Sequence, residues 1–243
     1  AEELVHTIAM NMERWRWLPR QLGEKHIRVN IAAFNLEAWE RDRPRIRMKV
    51  IVGERGWSTP AFSDRMATVV FNPAWNVPAS IVKEEIAVKM IDDSTYVKRN
   101  DMVIMDRSSG EPVPPDSLDW EEVAQSGTGY LVRQRPGPKN PLGQVKFLFP
   151  NDFAIYLHDT PAGHLFERTD RAFSHGCIRV SAPLELADFV LEGNPEWPPS
   201  RIREVYRSNN RIHVALDEMI PVYILYLTAL VNEEGRVEFH QDL

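Results

Sequence analysis

The residues best suited to chemistry are the single cysteine, Cys177, and His158, which lies sixteen residues before Ser174. A free thiol has a pKa near 8.5 and is only slightly ionised at neutral pH, but a neighbouring imidazole can raise its thiolate fraction. Cys177 follows Gly176, and glycine lets the backbone approach a substrate closely. The N–H groups of Gly176 and Cys177 could therefore converge on a developing oxyanion. This set of residues points to nucleophilic catalysis by a thiol–imidazole pair.

Each of these residues also has an ordinary structural interpretation. His158 could be a histidine satisfied at a strand end, Cys177 a small buried apolar residue, and Gly176 a simple turn. The set favours catalysis, because a buried structural cysteine rarely lies between His-Gly and Arg on a polar loop. A lone cysteine forms no intramolecular disulfide, and the sequence has no Cys-x-x-Cys pair for zinc.

Most of the elements that must position these residues are predicted to be strands. Their order indicates a mainly β, or α+β, fold with peripheral helices. Apolar alternation and short apolar runs predict strands at 27–39, 46–52, 68–71, 129–135, 145–149, 153–157, 211–216, 222–229 and 237–240, with a hairpin at 96–106. Helical spacing, capping residues and first-turn prolines predict helices at 5–15, 80–90, 119–124, 183–191 and 200–207.

Residues 76–137 differ in character from the segments on either side. Prolines recur at 78, 112, 114, 115 and 136, and the candidate elements are short. We interpret this stretch as a lid inserted in a β core made of residues 1–75 and 138–243. A run of ordinary surface connections is the alternative interpretation.

Charge and hydropathy exclude several classes of function. The net charge of −6 offers no basic field for nucleic acid. The longest apolar stretch, residues 219–231, is shorter than the roughly 20 residues of a membrane span. The sequence does not open with a signal peptide, which leaves either a cytosolic protein or one whose leader lies outside this sequence.

Residues Ser174 to Arg179, Ser-His-Gly-Cys-Ile-Arg, with a histidine sixteen positions before the serine, resemble the signature of YkuD-type L,D-transpeptidase catalytic domains. Segments 12–19, 75–78, 140–151 and 158–161 are similar to the large periplasmic members, so the resemblance spans nearly the whole chain. It implies a sandwich-like β-sheet core, and it implies that 76–137 is the capping subdomain of those members.

The resemblance also implies roles for single residues. Cys177 would attack the third stem residue of a peptidoglycan tetrapeptide and expel D-alanine, with His158 as its general base. The backbone carbonyl of Asp159 would orient the imidazole, and His175 would position the thiol. The amides of Gly176 and Cys177 would form the oxyanion hole.

Three further residues belong to the predicted binding surface: Ser174, Tyr156 and Arg179. Arg179 would bind a stem-peptide carboxylate or brace the loop, since a guanidinium fork suits both. No cofactor or metal is expected. The expected partners are peptidoglycan stem peptides, and carbapenems are expected to acylate Cys177. The expected location is the periplasm, directed by a signal or anchor segment outside this sequence.

The sequence leaves alternatives open for the acceptor of the acyl group and for the class of function. A diaminopimelate amine as acceptor would give 3→3 cross-links, water would give carboxypeptidase or hydrolase activity, and a lipoprotein lysine would give anchoring to the wall. A zinc site formed by His158, His175 and Cys177 lacks an evident fourth ligand. A wall-binding module without turnover would not need the thiol.

Overall fold

The computed structural model describes residues 2–127, 129–232 and 234–243; Ala1, Thr128 and Glu233, which fall within the predicted domain ranges, lie outside it. The α-helices are α1 (Glu2–Arg16), α2 (Ala79–Ile81), α3 (Ala87–Asp92), α4 (Tyr96–Arg99), α5 (Trp120–Ser126), α6 (Pro183–Val190) and α7 (Pro199–Arg207). A π-helical turn, Val82–Ile86, joins α2 to α3. None of the described helices is both long and apolar enough to cross a bilayer.

The strands form one large sheet and two small ones. They are β1 (Lys25–Asn30), β2 (Asn35–Glu40), β3 (Arg43–Gly53), β4 (Phe62–Phe71), β5 (Trp75–Asn76), β6 (Met102–Asp106), β7 (Pro112–Val113), β8 (Tyr130–Gln134), β9 (Val145–Leu148), β10 (Leu157–His158), β11 (Ala172–Ser174), β12 (Ile178–Val180), β13 (Ile212–Leu225), β14 (Ala229–Val231) and β15 (Val237–Phe239). The large sheet has the order β11-β3-β12-β10-β9-β4-β13-β1-β2, and β2 also pairs with β3. The strands from β3 to β2 therefore form a closed ring. This confirms the predicted sheet core.

Alternating burial explains why the large sheet packs as it does. Val145 and Phe147 on β9 are fully buried, whereas Lys146 between them points to the opposite face. Leu157 on β10 and Ile178 on β12 are also fully buried and lie in register with Phe147 across the three strands. These side chains belong to the main hydrophobic core. Their neighbours in sequence point to the opposite face of the sheet, where the candidate site lies.

The stretch between β4 and β9 forms a body with its own sheet and core. Strands β5, β8, β6 and β7 make a four-stranded sheet, helix α4 contacts β6, and α3 and α5 contact each other. Its buried side chains, from Val77 to Val132, form a hydrophobic cluster separate from the main core. Asn140 closes the neck of this body, because its Nδ2 donates to the carbonyl oxygens of Pro73 at 2.9 Å and Arg135 at 3.2 Å.

Several predicted elements differ from the structure. The strand predicted at 27–39 is a hairpin, β1 and β2, whose turn ends at Phe34 with a φ of 51°. The hairpin predicted at 96–106 is helix α4 followed by strand β6. The strands predicted at 211–216 and 222–229 are largely one strand, β13, which continues through an irregularity between Ala215 and Ile220.

Candidate active site

Three polar side chains share a row across neighbouring strands of the large sheet. His158 on β10 lies opposite Lys146 on β9 and opposite Arg179 on β12. The next residues along each strand point to the other face of the sheet and fill the core. These three side chains therefore lie together on the opposite face. Parallel pairing of β10 with β12 also brings the chain before Ile178 alongside Tyr156, whose carbonyl accepts from the Ile178 N–H at 3.1 Å. The fold thus brings Cys177 and His158 into one neighbourhood.

His158 is almost completely buried, and its ring is held in one tautomer. Only 4% of the residue is exposed. Its Nδ1 lies 2.6 Å from the backbone oxygen of Asp159, which can only accept a hydrogen bond. Nδ1 therefore carries the proton, and Nε2 keeps a lone pair. Burial lowers the pKa of His158 to about 3, and the charges of Arg179 and Lys146 act in the same direction.

The carboxylate of Asp159 fixes the loop that supplies this carbonyl. Its Oδ2 accepts from the Gln144 N–H at 2.8 Å and the Tyr206 hydroxyl at 3.1 Å, while Oδ1 accepts from the Thr160 N–H at 2.7 Å. Burial raises the pKa of Asp159, and these hydrogen bonds oppose the rise. Gly143, with a φ of 59°, is so close that a Cβ there would lie 2.4 Å from the carboxyl carbon. The Asp159 side chain is thus committed to the loop.

Cys177 is partly exposed and lies against Tyr156. Its Sγ is 3.7 Å from the carbonyl oxygen of Ala154, and no hydrogen bond joins it to His158 in the described structure. Burial raises the pKa of the Cys177 thiol; hydrogen bonds from the Tyr156 amide and hydroxyl act against the rise. The Tyr156 ring also lies 5.7 Å, centroid to centroid, from the His158 ring. One tyrosine therefore touches both members of the predicted pair.

The loop before Cys177 is shaped by Ser174 and Gly176. The buried Ser174 hydroxyl donates to the Cys177 carbonyl at 2.5 Å and accepts from the Gly176 N–H at 3.2 Å. Gly176 has a φ of 103°, a conformation that favours glycine, and its carbonyl accepts from the Thr59 hydroxyl at 2.7 Å. The backbone N–H of Cys177 has no acceptor among the described residues. Of the two predicted oxyanion donors, one is free and one is bonded to Ser174.

The His175 side chain reaches the inserted body. Its Nε2 lies 2.9 Å from Oε1 of Glu85, which belongs to the π-helical turn between α2 and α3. Its ring also packs on Trp57, with centroids 5.1 Å apart. Among the described residues, no group of three His, Cys, Asp or Glu side chains is arranged to hold a metal ion. The set His158, His175 and Cys177 therefore lacks the convergence that zinc ligation requires.

Arg179 and Lys146 remain as cations without acidic partners. Neither side chain forms an ion pair with a carboxylate in the described part of the chain. The Lys146 Nζ lies 5.2 Å from the centre of the Tyr156 ring. Sequence reasoning missed the roles of Lys146, Glu85 and Tyr206. The alternation around Lys146 marks its face, but no local signal marks the contacts that Glu85 and Tyr206 make with residues far away in the sequence.

The geometry is that of a cysteine acyl-transfer site. A buried neutral imidazole supplies a base, a partly exposed thiol supplies a nucleophile, and a free backbone amide is available beside it. Burial disfavours both the thiolate and the imidazolium, so the resting pair is neutral.

Comparison with known proteins gives the same class. The family model of the YkuD L,D-transpeptidase catalytic domain matches residues 24–206. A curated protein of Haemophilus influenzae, named "Putative L,D-transpeptidase", is 34% identical over 234 residues, covering 96% of this chain and 46% of that protein. The chain thus spans about half the length of this relative. It belongs to the YkuD L,D-transpeptidase catalytic domain family.

Solved structures show a weaker likeness. An L,D-transpeptidase from Mycobacterium smegmatis is 12% identical, with a TM-score of 0.38, over 83% of this chain and 58% of that one. The catalytic domain of the Enterococcus faecium L,D-transpeptidase acylated by ertapenem is 10% identical, with a TM-score of 0.32, over 84% of this chain and 99% of that one. The family assignment rests on the family model and the curated relative.

Proposed function

We propose that this chain is a peptidoglycan L,D-transpeptidase with Cys177 as nucleophile and His158 as general base. The observation that carries the proposal is the buried, neutral imidazole of His158. Its tautomer is fixed by the Asp159 carbonyl, and Tyr156 joins it to the only thiol in the chain. A histidine held this way keeps a free lone pair on Nε2, as a general base requires.

The reaction then proceeds in two balanced halves. Cys177 Sγ forms a bond to the carbonyl carbon of the third stem residue while its proton passes to Nε2 of His158. The bond to D-alanine breaks, its amine takes that proton, and a thioester remains. A diaminopimelate amine of a second stem attacks the thioester, gives a proton to His158 and forms the 3→3 cross-link. The proton returns to sulfur as the thioester bond breaks, which regenerates the thiol.

The Cys177 backbone amide is the principal donor to the tetrahedral oxyanion in this proposal. It is unoccupied, and it belongs to the attacking residue, as in other acyl-transfer sites. The Gly176 amide joins it only by leaving the Ser174 hydroxyl, to which it is held by a long 3.2 Å hydrogen bond. The negative charge of the oxyanion makes it a stronger acceptor than a hydroxyl.

The inserted body serves as a cap over the site in the same proposal. Glu85 reaches His175, two residues before the nucleophile, so the insert bears directly on the catalytic loop. Glu85→Ala should lower turnover several-fold, whereas Glu84→Ala, an exposed change one residue away, should not. Initial rates of product formation, measured with both variants folded, decide this. Equal rates for the two variants would show that the contact between the inserted body and His175 does not contribute to turnover.

Product analysis with defined tetrapeptide stems tests the proposed function. The wild-type protein should release D-alanine and form cross-linked dimers that mass spectrometry resolves, and Cys177→Ala should form none. Tripeptide without dimer would show that water is the acceptor and that the protein is a carboxypeptidase. Peptide joined only to an added lysine-bearing lipoprotein segment would show anchoring. No reaction with any stem would refute the whole assignment.

The family relationship supports two further parts of the proposal. A related catalytic domain is acylated by ertapenem, and we expect carbapenems to acylate Cys177 in this chain, which intact mass against Cys177→Ala would show. Members of the family act on peptidoglycan in the cell envelope, so we place the protein in the periplasm. Fractionation of cells that express the full-length protein tests that location.

A further inference from the structure

Lys146 and Arg179 are cations without a partner at the centre of the site. They flank His158 across three strands, are both partly buried, and form no ion pair with a carboxylate among the described residues. Lys25 makes an instructive contrast, because it is also half-buried but has Glu192, Glu40 and Glu218 around it. Lys146 and Arg179 differ from Lys25 in that no carboxylate of the described residues lies near enough to compensate their charges.

Leaving a charge partly buried without a partner costs folding free energy. Burial lowers the pKa of both side chains, which reflects this cost. The Tyr156 ring, 5.2 Å from the Lys146 ammonium, attracts the cation but does not neutralise it. Two neighbouring cations without a partner are suited to binding an anionic group of the substrate.

The chemistry of the proposed donor supplies such an anion. In a tetrapeptide stem the last residue carries a free carboxylate, and only the N–Cα–C segment of that residue separates it from the carbonyl that Cys177 attacks. Consecutive Cα atoms lie about 3.8 Å apart, so the carboxylate must lie within a few ångströms of the thiol during attack. Lys146 and Arg179 both interact electrostatically with Cys177 and are placed to meet it.

We propose that Lys146, with Arg179, binds the terminal carboxylate of the donor peptide and so selects donors that end in a free acid one residue beyond the attacked carbonyl. This inference rests on the proposed function and deepens it. Lys146 is then a specificity-determining residue, whose charge acts on the donor in addition to its interaction with the thiol.

The test compares a tetrapeptide stem with its C-terminal amide, using the full chain described here. With the wild-type protein, kcat/KM for the acid should exceed that for the amide by about tenfold or more, as expected for a hydrogen-bonded charge pair. Lys146→Met should lower kcat/KM for the acid, mainly through KM, by about tenfold more than it lowers kcat/KM for the amide, so that the preference for the acid falls towards one. Lys146→Arg should restore the preference for the acid.

Lys49→Met is the matched control, because Lys49 is an exposed lysine on the same sheet that pairs with Glu167. It should leave both substrates unchanged. The thermal midpoint of Lys146→Met should equal or exceed that of the wild type, since an unpaired charge is removed. If that variant does not fold, the acid-to-amide ratio of the wild type and of Lys146→Arg still tests the inference.

Two results would overturn the inference. Equal losses for acid and amide in Lys146→Met would show that the lysine acts on the thiol, and an unchanged preference would show that it does not contact the carboxylate. Both results require a wild-type protein that turns over the tetrapeptide. Failure of the wild type itself with every stem would instead refute the proposed function.

Discussion

His158 makes the stability of the fold depend on pH by an amount that follows from its environment. Burial lowers the pKa of the imidazole to about 3, and the cations Arg179 and Lys146 on the neighbouring strands act in the same sense. The Asp159 carbonyl acts against them, and the Tyr156 ring packs beside the imidazole. In the unfolded chain the same imidazole has a pKa of about 6.5.

The sign follows from proton binding in the two states. Between about pH 6.5 and pH 3 the unfolded chain holds a proton at this imidazole and the folded protein does not. Unfolding therefore takes up a proton, and acid favours unfolding. Between pH 7 and pH 4 the difference amounts to about 3 kcal/mol of stability attributable to His158. The loss begins near pH 6.5 and ends near pH 3.

Urea unfolding of two histidine variants isolates this contribution. His158→Gln removes the titrating group, and His6→Gln removes an exposed histidine on helix α1, outside the large sheet, as a control. From pH 7 to pH 4 the wild type and the control should each lose about 3 kcal/mol more than His158→Gln. Equal losses in all three proteins would refute the buried, neutral imidazole. The denaturant slopes must agree, so that the free energies are comparable.

Three further substitutions test how the site is held. Gly143→Ala should cost about 2 kcal/mol or more in urea unfolding, because it puts a left-handed φ on alanine and a Cβ against Asp159; stability unchanged from wild type would contradict this. Tyr206→Phe should cost about 1.5 kcal/mol or more and raise the Asp159 pKa further, measured by NMR titration; an unmoved pKa would show that the hydroxyl does not reach the carboxylate. Gly53→Ala should cost about 3 kcal/mol, because its Cβ would lie 2.0 Å from the Trp57 carbonyl; a wild-type thermal midpoint would show that the loop yields.

Sequence patterns predicted those parts of the fold that depend on interactions between residues close together in the chain. The alternation of Val145, Lys146 and Phe147 fixes which side chains enter the core, and it holds in β9. Proline in the first turn placed the helix at 183–191 and the structure ends it at Val190. Asp119 caps the predicted helix of the insert by accepting from two amides. Such signals lie within a few residues of what they decide.

Long-range pairing decides the parts that the patterns could not show. The turn ending at Phe34 has no glycine or proline signal, so two strands looked like one. Cys177 and His158 were predicted as a pair from their types and spacing, and parallel pairing of β10 with β12 places them near each other. The contacts of Glu85 with His175 and of Tyr206 with Asp159 depend on how separate elements pack.

The most direct test of the account is the capture of the acyl-enzyme. A tetrapeptide stem mixed with the protein without an amine acceptor and quenched in acid at short times should leave the tripeptide acyl group on Cys177, located by peptide mapping. His158→Gln should slow its formation by about a hundredfold or more, and His6→Gln, a change on the exposed surface of helix α1, should leave the rate unchanged. An adduct on another residue, or equal rates with and without the His158 imidazole, would contradict the account.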